Sequence, residues 1–414
     1  MRRRVRLGDL FSVKHGFAFP GDEFSEDPAY PTVTTPGNFA IGGGFKQSRP
    51  KTFSGEVDPE YVLEPGSLVL SLTDLSKSSD TLGSPALVPS GRTYLHNQRI
   101  GLVVPKVPEC VPRFLSYYLR LPGYRHHVVG TASGSTVKHT SPSRIYEFEA
   151  SIPDTASQFA IADVLSALDD KIAANTKLAT TALELALAIY RRAVNRLPLV
   201  SMSSVLAPIL GGTPARSRAD YWDGDALWIS ARDVTGAGRG VILDTAEKIT
   251  DIAVAATKAK PLQAGSVILT ARGTVGAVAR LGRAASFNQS CYGFEATKIP
   301  AGVLYFMIRE ASESARAHAH GSVFDTITMK TFDDLVVPKF SDEVLRNVEG
   351  CIAPLLETVT ATEVEARKLA VMRDALLPAL MSGRLTVRDA EATVESAVDG
   401  SAVGPEARAN GTLW

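Results

Sequence analysis

A metal-dependent nuclease centre needs carboxylates and a lysine converging on one cation, and Pro153-Asp154, Asp169 and Lys171 have a spacing of that kind. Such a site wants its last pair on a strand, where residues two apart share a face. Asp169 and Lys171 lie instead in a stretch of helical periodicity, where two steps turn the chain by about 200° and part the side chains. Solvated helix charges are the reading that this spacing favours. His318 and His320 fail as a metal pair for the same reason, with no Cys or carboxylate set at ligand spacing around them. The run Gly236-Ala237-Gly238-Arg239-Gly240 is glycine-rich but lacks the last glycine of a phosphate cradle and no clear helix follows, so it reads as a turn. Neither an Asn- or Asp-Pro-Pro-aromatic methyltransferase motif nor a G-x-x-x-x-G-K-[ST] loop occurs. Cys110, Cys291 and Cys351 are odd in number and far apart, which suits a reducing cytoplasm and implies no thiol chemistry.

The elements that would position any site are clearer than the site. With 414 residues, 45% of them hydrophobic and 21% charged, the chain is an ordinary folded protein of two or three domains. From Ser157 to Asn195 it has no Pro or Gly, and apolar or small residues recur at alternating steps of four and three. Ile161, Leu165, Leu168, Ile172, Asn175, Ala179, Ala182, Ala186 and Ile189 form a coiled-coil-like seam on a helix roughly 60 Å long. So long a seam needs a second helix, which Asp342–Ser382 supplies with Leu345, Val348, Ile352, Leu355 and Val359, then Leu369 and Leu376. Gly350 and Pro354 interrupt this second pattern, so a kink or restart is expected there, with the straight part from Leu356 to Met381 and Gly383 as its C-cap. Leu178, Leu183, Leu185 and Leu187 point away from the first seam, so that helix needs a further partner. No run of about 18 uninterrupted apolar residues occurs, and no membrane span or signal peptide is expected.

Before each helix lies a module of short strands and turns. Leu68-Val69-Leu70 and Leu102-Val103-Val104 read as buried strands, Pro112 opens a short helix, and GTASGSTVKHTSPS reads as a surface loop. LEPGSLVLS at Leu63 matches LQAGSVILT at Leu262, and His96-Asn97-Gln98 matches Phe287-Asn288-Gln289. Gly134-Ser135 matches Gly321-Ser322, and Pro153 matches Pro338, with the offset shrinking from 199 to 185 residues. Four matches in order make a tandem duplication. The fold class expected is α+β: two similar mixed α/β domains, 1–153 and 198–339, separated by a long antiparallel two-helix spacer, 154–197 and 340–387. Residues 388–414 hold few large apolar residues and read as a disordered tail.

GGTPARSRADYWDGDALWISARDVTG, Gly211 to Gly236, resembles the opening of a target recognition domain in the specificity subunits of type I restriction–modification systems. MRDALLPALMSGRL, Met372 to Leu385, is similar to the end of their second conserved helix, and IADVLSALDDKI, Ile161 to Ile172, to the start of their central one. The first module departs most, with VKHGFAFPGDEF in place of the GGTP-type opening. The resemblance implies a non-catalytic subunit that binds a split double-stranded DNA target, one half-site per domain. It implies that the paired helices fix the separation and dock two methyltransferase subunits, and that a restriction motor-nuclease subunit joins them. S-adenosylmethionine, ATP and Mg would then sit on those partners and no cofactor on this chain. Unlike modules on one rod should read unlike half-sites, so the target is asymmetric.

Base edges are read by Arg, Lys and amide side chains, so the candidate contacts lie on module loops. In the first module they are Lys46, Gln47, Arg49, Lys51, Arg92, Asn97, Gln98, Arg99, Lys138 and His139. In the second they are Arg216, Arg218, Arg232, Arg239, Arg272, Arg283, Asn288 and Gln289. Each competes with a plain surface charge, and the repeated Asn-Gln pairs could equally mark a shared turn. Tyr221, Trp222 and Trp228 read as packing rather than base stacking. A net charge of zero gives DNA binding no support by itself. The competing reading is a scaffold of two protein-binding modules without DNA contact; a third is an enzyme whose site lacks a familiar motif.

Overall fold

The computed structural model describes residues 2–47, 51–76, 78–318 and 326–398. They form two compact units, one within residues 2–170 and 369–398 and the other within residues 171–368. The unit boundaries fall inside the two long helices, so each unit holds one strand-rich module together with its share of both helices.

In the first unit an antiparallel sheet runs in the order Phe11–His15, Ile100–Pro105, Leu68–Ser71, Pro85–Leu87. A second sheet orders Phe24–Ser25, Thr52–Phe53, Thr32–Thr34, Tyr94–His96 and Val62–Leu63, with Thr32–Thr34 and Tyr94–His96 parallel. Arg3–Arg6 pairs with Glu149–Ile152 just before the first long helix. All four residues of Leu68–Ser71 are buried: the three apolar ones as their run requires, and Ser71 with its hydroxyl donating to the Thr73 carbonyl at 2.9 Å. The strand Ile100–Pro105 is buried only at its start and centre, and Val104, expected inside, is 40% exposed. Pro112 and Pro122 each open a helix, Pro112–Tyr118 and Pro122–Gly130, where a missing amide hydrogen costs nothing. The surface loop expected around GTASGSTVKHTSPS contains one short strand, Lys138–His139, paired to Thr73–Asp74.

The second unit repeats this layout. Its main sheet runs Ile209–Leu210, Cys291–Phe294, Val267–Thr270, Val278–Leu281, Val241–Ile242. A three-stranded sheet joins Glu247–Ile249, Trp222–Ile229 and Ser286–Phe287, the last two parallel. Leu199–Ser201 pairs with Val336–Pro338 before the second long helix. The repeated Gly-Ser has a local cause. Ser67 N–H donates to the Glu64 carbonyl and Ser266 N–H to the Gln263 carbonyl, closing a four-residue turn each time. Gly66 and Gly265 take its third position with φ of 84° and 87°, a conformation that other residues avoid. The match between Gly134 and Gly321 falls partly outside the described residues.

The long helices are Thr155–Val194 and Asp342–Ser382. Within the second unit they pack antiparallel. Lys171 pairs with Glu365, Ala179 and Ala182 share a cluster with Val359, and Ala186 and Tyr190 pack with Ile352 and Leu356. Within the first unit they meet at the Asp169–Arg373 ion pair. The seam is buried at Ile161, Leu165, Leu168, Asn175, Ala179, Ala182 and Ala186, and half-buried at Ile172. Its last rung is Tyr190, 1% exposed, in place of Ile189, because the larger ring fills the space against Phe306. On the second helix Val348, Ile352, Val359, Leu369 and Leu376 are buried, and Leu355 is half-buried beside Leu356.

The helix does not restart at Pro354: it runs unbroken through it and through Pro378. Pro354 and Gly350 are exposed, so the carbonyl released by the missing amide can turn to water. Burial of Ile352, Leu356 and Val359 on the other side holds the turn together. Gly383 ends the helix with φ of 78°. The expected tail begins as structure: Val387–Val398 is a helix whose Ala390 is fully buried and whose first turn is capped by reciprocal Thr386–Asp389 bonds. Residues 399–414 lie outside the described residues.

Thr155–Val194 is, among the described residues, the one helix long and apolar enough to cross a bilayer by length and composition. Asp169 and Lys171 along it are ion-paired to the second long helix, and its alanine stripe is covered by Val359 and Leu355, a protein partner rather than lipid.

Candidate nucleic-acid interface

The nuclease-like spacing dissolves in the structure. Asp154 accepts from the Ser157 amide at 2.9 Å and from its hydroxyl at 2.9 Å, as a cap of the first long helix. The Ser157 amide bond, helped by the hydroxyl, holds this carboxyl below its ordinary pKa. Asp169, expected to be a solvated charge, is a hub. It accepts from Tyr117 Oη at 2.8 Å and Arg373 Nη1 at 2.6 Å, with Arg120 Nη1 at 3.7 Å. Lys171, the other such charge, lies 3.5 Å from Glu365. Helical phase had already separated the two; the partners come from elements far away in sequence. Among the described residues no group of three or more His, Cys, Asp and Glu is placed to hold a metal ion. His320 lies outside them. Burial pushes the Cys110 thiol up to about 11 and the Cys291 thiol up to about 12.

The candidate contacts divide into tied and untied side chains. Arg216 stacks over Trp222, its guanidinium carbon 3.8 Å from the ring centre, and grips Glu247 with both ends of its fork. Arg218 makes the same two-pronged bond to Asp220, which raises its pKa further, through that bond first and the Asp220 charge second. Arg239 is ion-paired to Glu363 on the second long helix. Arg92 donates to the Pro28 carbonyl at 2.9 Å, and His139 Nδ1 lies 3.2 Å from Thr73 Oγ1. Asn97 and Asn288 are half-buried, each accepting from a nearby main-chain amide. The untied set is Lys46, Gln47, Lys51, Gln98, Arg99, Arg232, Arg272, Arg283 and Gln289, all exposed, together with the half-exposed Lys138. Arg49 lies outside the described residues. Gln98 and Arg99 share one turn between Tyr94–His96 and Ile100–Pro105, and Gln289 occupies the equivalent turn of the second unit. Tyr221 and Trp222 are half-buried and Trp228 is 3% exposed, with its indole N–H bonded to the Gly212 carbonyl, so they pack rather than present a stacking face.

The divergent opening of the first module keeps the essential feature of the GGTP stretch. Phe17 N–H donates to the His96 carbonyl at 2.8 Å, and Gly212 N–H to the Phe287 carbonyl at 2.9 Å. The glycine before each lies so close to the opposite strand that a Cβ on Gly16 would sit 2.1 Å from the His96 oxygen, and one on Gly211 2.2 Å from the Asn288 oxygen. A glycine paired with the H-N-Q or F-N-Q turn was the signal available for this correspondence.

Several residues that seat a module on the helices escaped the sequence reading. Arg280 is 8% exposed, has no carboxylate partner among the described residues, and donates to the Leu356 carbonyl at 2.7 Å; burial lowers its pKa to about 10. Glu349 accepts from the amides of Gly302 and Val303 at 3.0 and 2.9 Å, capping the helix Ala301–His318 from the long helix. Arg191 binds Glu310 on that same helix. Nothing in local periodicity announces such bonds, because their partners are set by tertiary contact.

In each unit a strand-rich domain packs against that unit's own share of the two long helices. The profile of the type I restriction modification DNA specificity domain, Methylase_S, matches this chain twice, over residues 3–183 and 205–343. The chain belongs to that family: it is a type I restriction–modification specificity subunit with two recognition domains. Its fold is that of the S subunit of a type I restriction–modification system from M. genitalium, at a TM-score of 0.63 and 14% identity over 92% of this chain and 96% of that one. The HsdS subunit from Thermoanaerobacter tengcongensis matches over 93% of this chain and 97% of that one, at 14% identity and a TM-score of 0.33. A structure described as the basis of complex assembly and conformational transition of the type I R-M system matches at 17% identity and a TM-score of 0.40, over 93% and 98%.

Proposed function

We propose that this chain chooses the DNA target of a type I restriction–modification complex and performs no chemistry itself. Residues 1–153 read one half-site of a double-stranded target and residues 198–339 the other. The long helices set the gap between them. The observation that carries this reading is the repetition of one strand layout before each long helix, on loops whose untied cations and amides differ. Unlike loops on like frameworks give an asymmetric, bipartite target.

Two methyltransferase subunits dock along the helices, and a motor-nuclease subunit joins the assembly. S-adenosylmethionine, ATP and Mg belong to those partners, and the complex works in the cytoplasm. Leu178 and Leu185 are each 50% exposed and Val371 is 71% exposed, apolar side chains that suit burial under another subunit.

The test is base-resolution methylation mapping in a host expressing the full chain together with its methyltransferase subunit. Two unlike half-sites at a constant gap are expected. Methylation independent of this chain, with retention on DNA that lacks a steep salt dependence, would favour the protein scaffold instead.

A further inference from the structure

In the first unit a single carboxylate joins three elements. Asp169 lies on the first long helix, Tyr117 and Arg120 come from the recognition domain, and Arg373 comes from the second long helix. Oδ2 faces Tyr117 and Arg120, while Oδ1 takes Arg373. The Arg120 side chain is 13% exposed, that of Arg373 23% and that of Asp169 29%, so the cluster is mostly screened from solvent. Apolar packing is non-directional and would let a domain roll on its helices, whereas bonds converging on one carboxylate allow one orientation. Without the negative charge, Arg120 would lose its carboxylate partner and Arg373, left with Asp374 alone, would lose its tie to the first long helix. The second unit has an independent counterpart in the Glu363–Arg239 pair, again a helix carboxylate holding a domain arginine.

We propose that Asp169 is a positioning residue: it sets the angle at which the first recognition domain is held on the spacer, and thereby the gap length accepted between half-sites. This rests on the split-target reading above. One base pair shifts a half-site by about 3.4 Å along the duplex, so a domain free to tilt would tolerate a gap that a clamped one rejects. The residue touches no base in this account, and half-site sequences should not change when it does.

The experiment uses the full chain co-expressed with its methyltransferase and plasmids carrying the mapped target at its native gap, one base pair shorter and one longer. The readout is the ratio of methylation at native and altered gaps. Asp169→Asn should lower that ratio about tenfold, a typical size for a coupled charge cluster, with both half-sites unchanged. Tyr117→Phe, which deletes one hydroxyl, should move it in the same direction by less, and Asp169→Glu should fall between Asn and wild type. A gap ratio in Asp169→Asn equal to that of the wild type overturns the proposal. Should that variant fail to fold, an unchanged ratio in Tyr117→Phe does so. If the unsubstituted chain shows no gap preference, the split-target reading itself falls, and that arm reports it without any substitution.

Discussion

Asn97 and Asn288, one in each recognition domain, make the same bond: each side-chain oxygen accepts, at 3.0 Å, from the amide two residues further on, that of Arg99 or Ser290. Both begin the turn that carries the neighbouring glutamine outward, a local side-chain substitute for a backbone turn. The repeated Asn-Gln pair is therefore half framework and half exposed surface. Replacing either Asn by Ala should cost its own unit about 1 kcal/mol, the net worth of one such bond, and leave base preference alone. Replacing Gln289 by Ala should leave stability within about 0.5 kcal/mol and alter the preference at one half-site only. Unfolding midpoints and methylation maps of the three variants separate these outcomes.

Gly16 and Gly211 predict a matched pair of failures. Either alanine would drive a Cβ into the backbone of the facing strand, at 2.1 or 2.2 Å, where no flexible side chain can give way. Each substitution should destabilise its own unit by about 3 kcal/mol, at the upper end for overpacking, and hydrogen exchange resolved by segment should show the loss confined to that unit.

Much of this architecture was legible in the chain. The helix seam was visible because Leu165, Leu168, Ala179 and Ala182 repeat at helical steps and all are buried. The duplication was visible because turn chemistry is local, so Gly66 and Gly265 recur for a reason that a few residues contain. Of the kink or restart expected at Pro354, the restart does not occur, because tertiary burial on the opposite face outweighs one lost backbone bond. The site was less legible. Arg216, Arg218 and Arg239 have the composition of DNA contacts, yet each is tied to a carboxylate, two of which lie far along the chain. A cation's availability depends on who pairs with it, and pairing is a tertiary fact.

Acid should weaken the first unit through His96. This imidazole is fully buried, its Nε2 lies 2.9 Å from the Ile100 carbonyl, and its Nδ1 has no partner among the described residues. Burial, the main cause, lowers its pKa. The unfolded chain then binds the proton more readily than the folded one. Stability is fully present above the unfolded pKa of about 6.5 and declines as pH falls below it toward the folded value. His96→Phe, which copies the Phe287 found at the matching position, should remove this acid limb. Melting curves between pH 7.5 and 5 (as about the usable range for histidine titration) would show a flatter profile for the variant, and an unchanged slope would assign the acid sensitivity to another group.

Arg283 and Arg216 make the sharpest contrast between an untied cation and a tied one. Arg283 is exposed on the turn after Val278–Leu281, with no bond from its side chain among the described residues. Its replacement by Ala should leave the melting midpoint unchanged and lower the slope of log affinity against log salt by about 1, as the loss of one phosphate contact does. Arg216 is stacked on Trp222 and bonded to Glu247, so its replacement by Ala removes packing as well as charge. That pair is half exposed, so the ion pair itself contributes little, and the stacking supplies most of an expected loss of about 1 kcal/mol. Its salt slope should stay as in the wild type, because the guanidinium is already neutralised by Glu247. If Arg216→Ala instead lowers the slope while stability holds, Glu247 must release the arginine when DNA arrives, and the boundary between tied and untied cations moves accordingly.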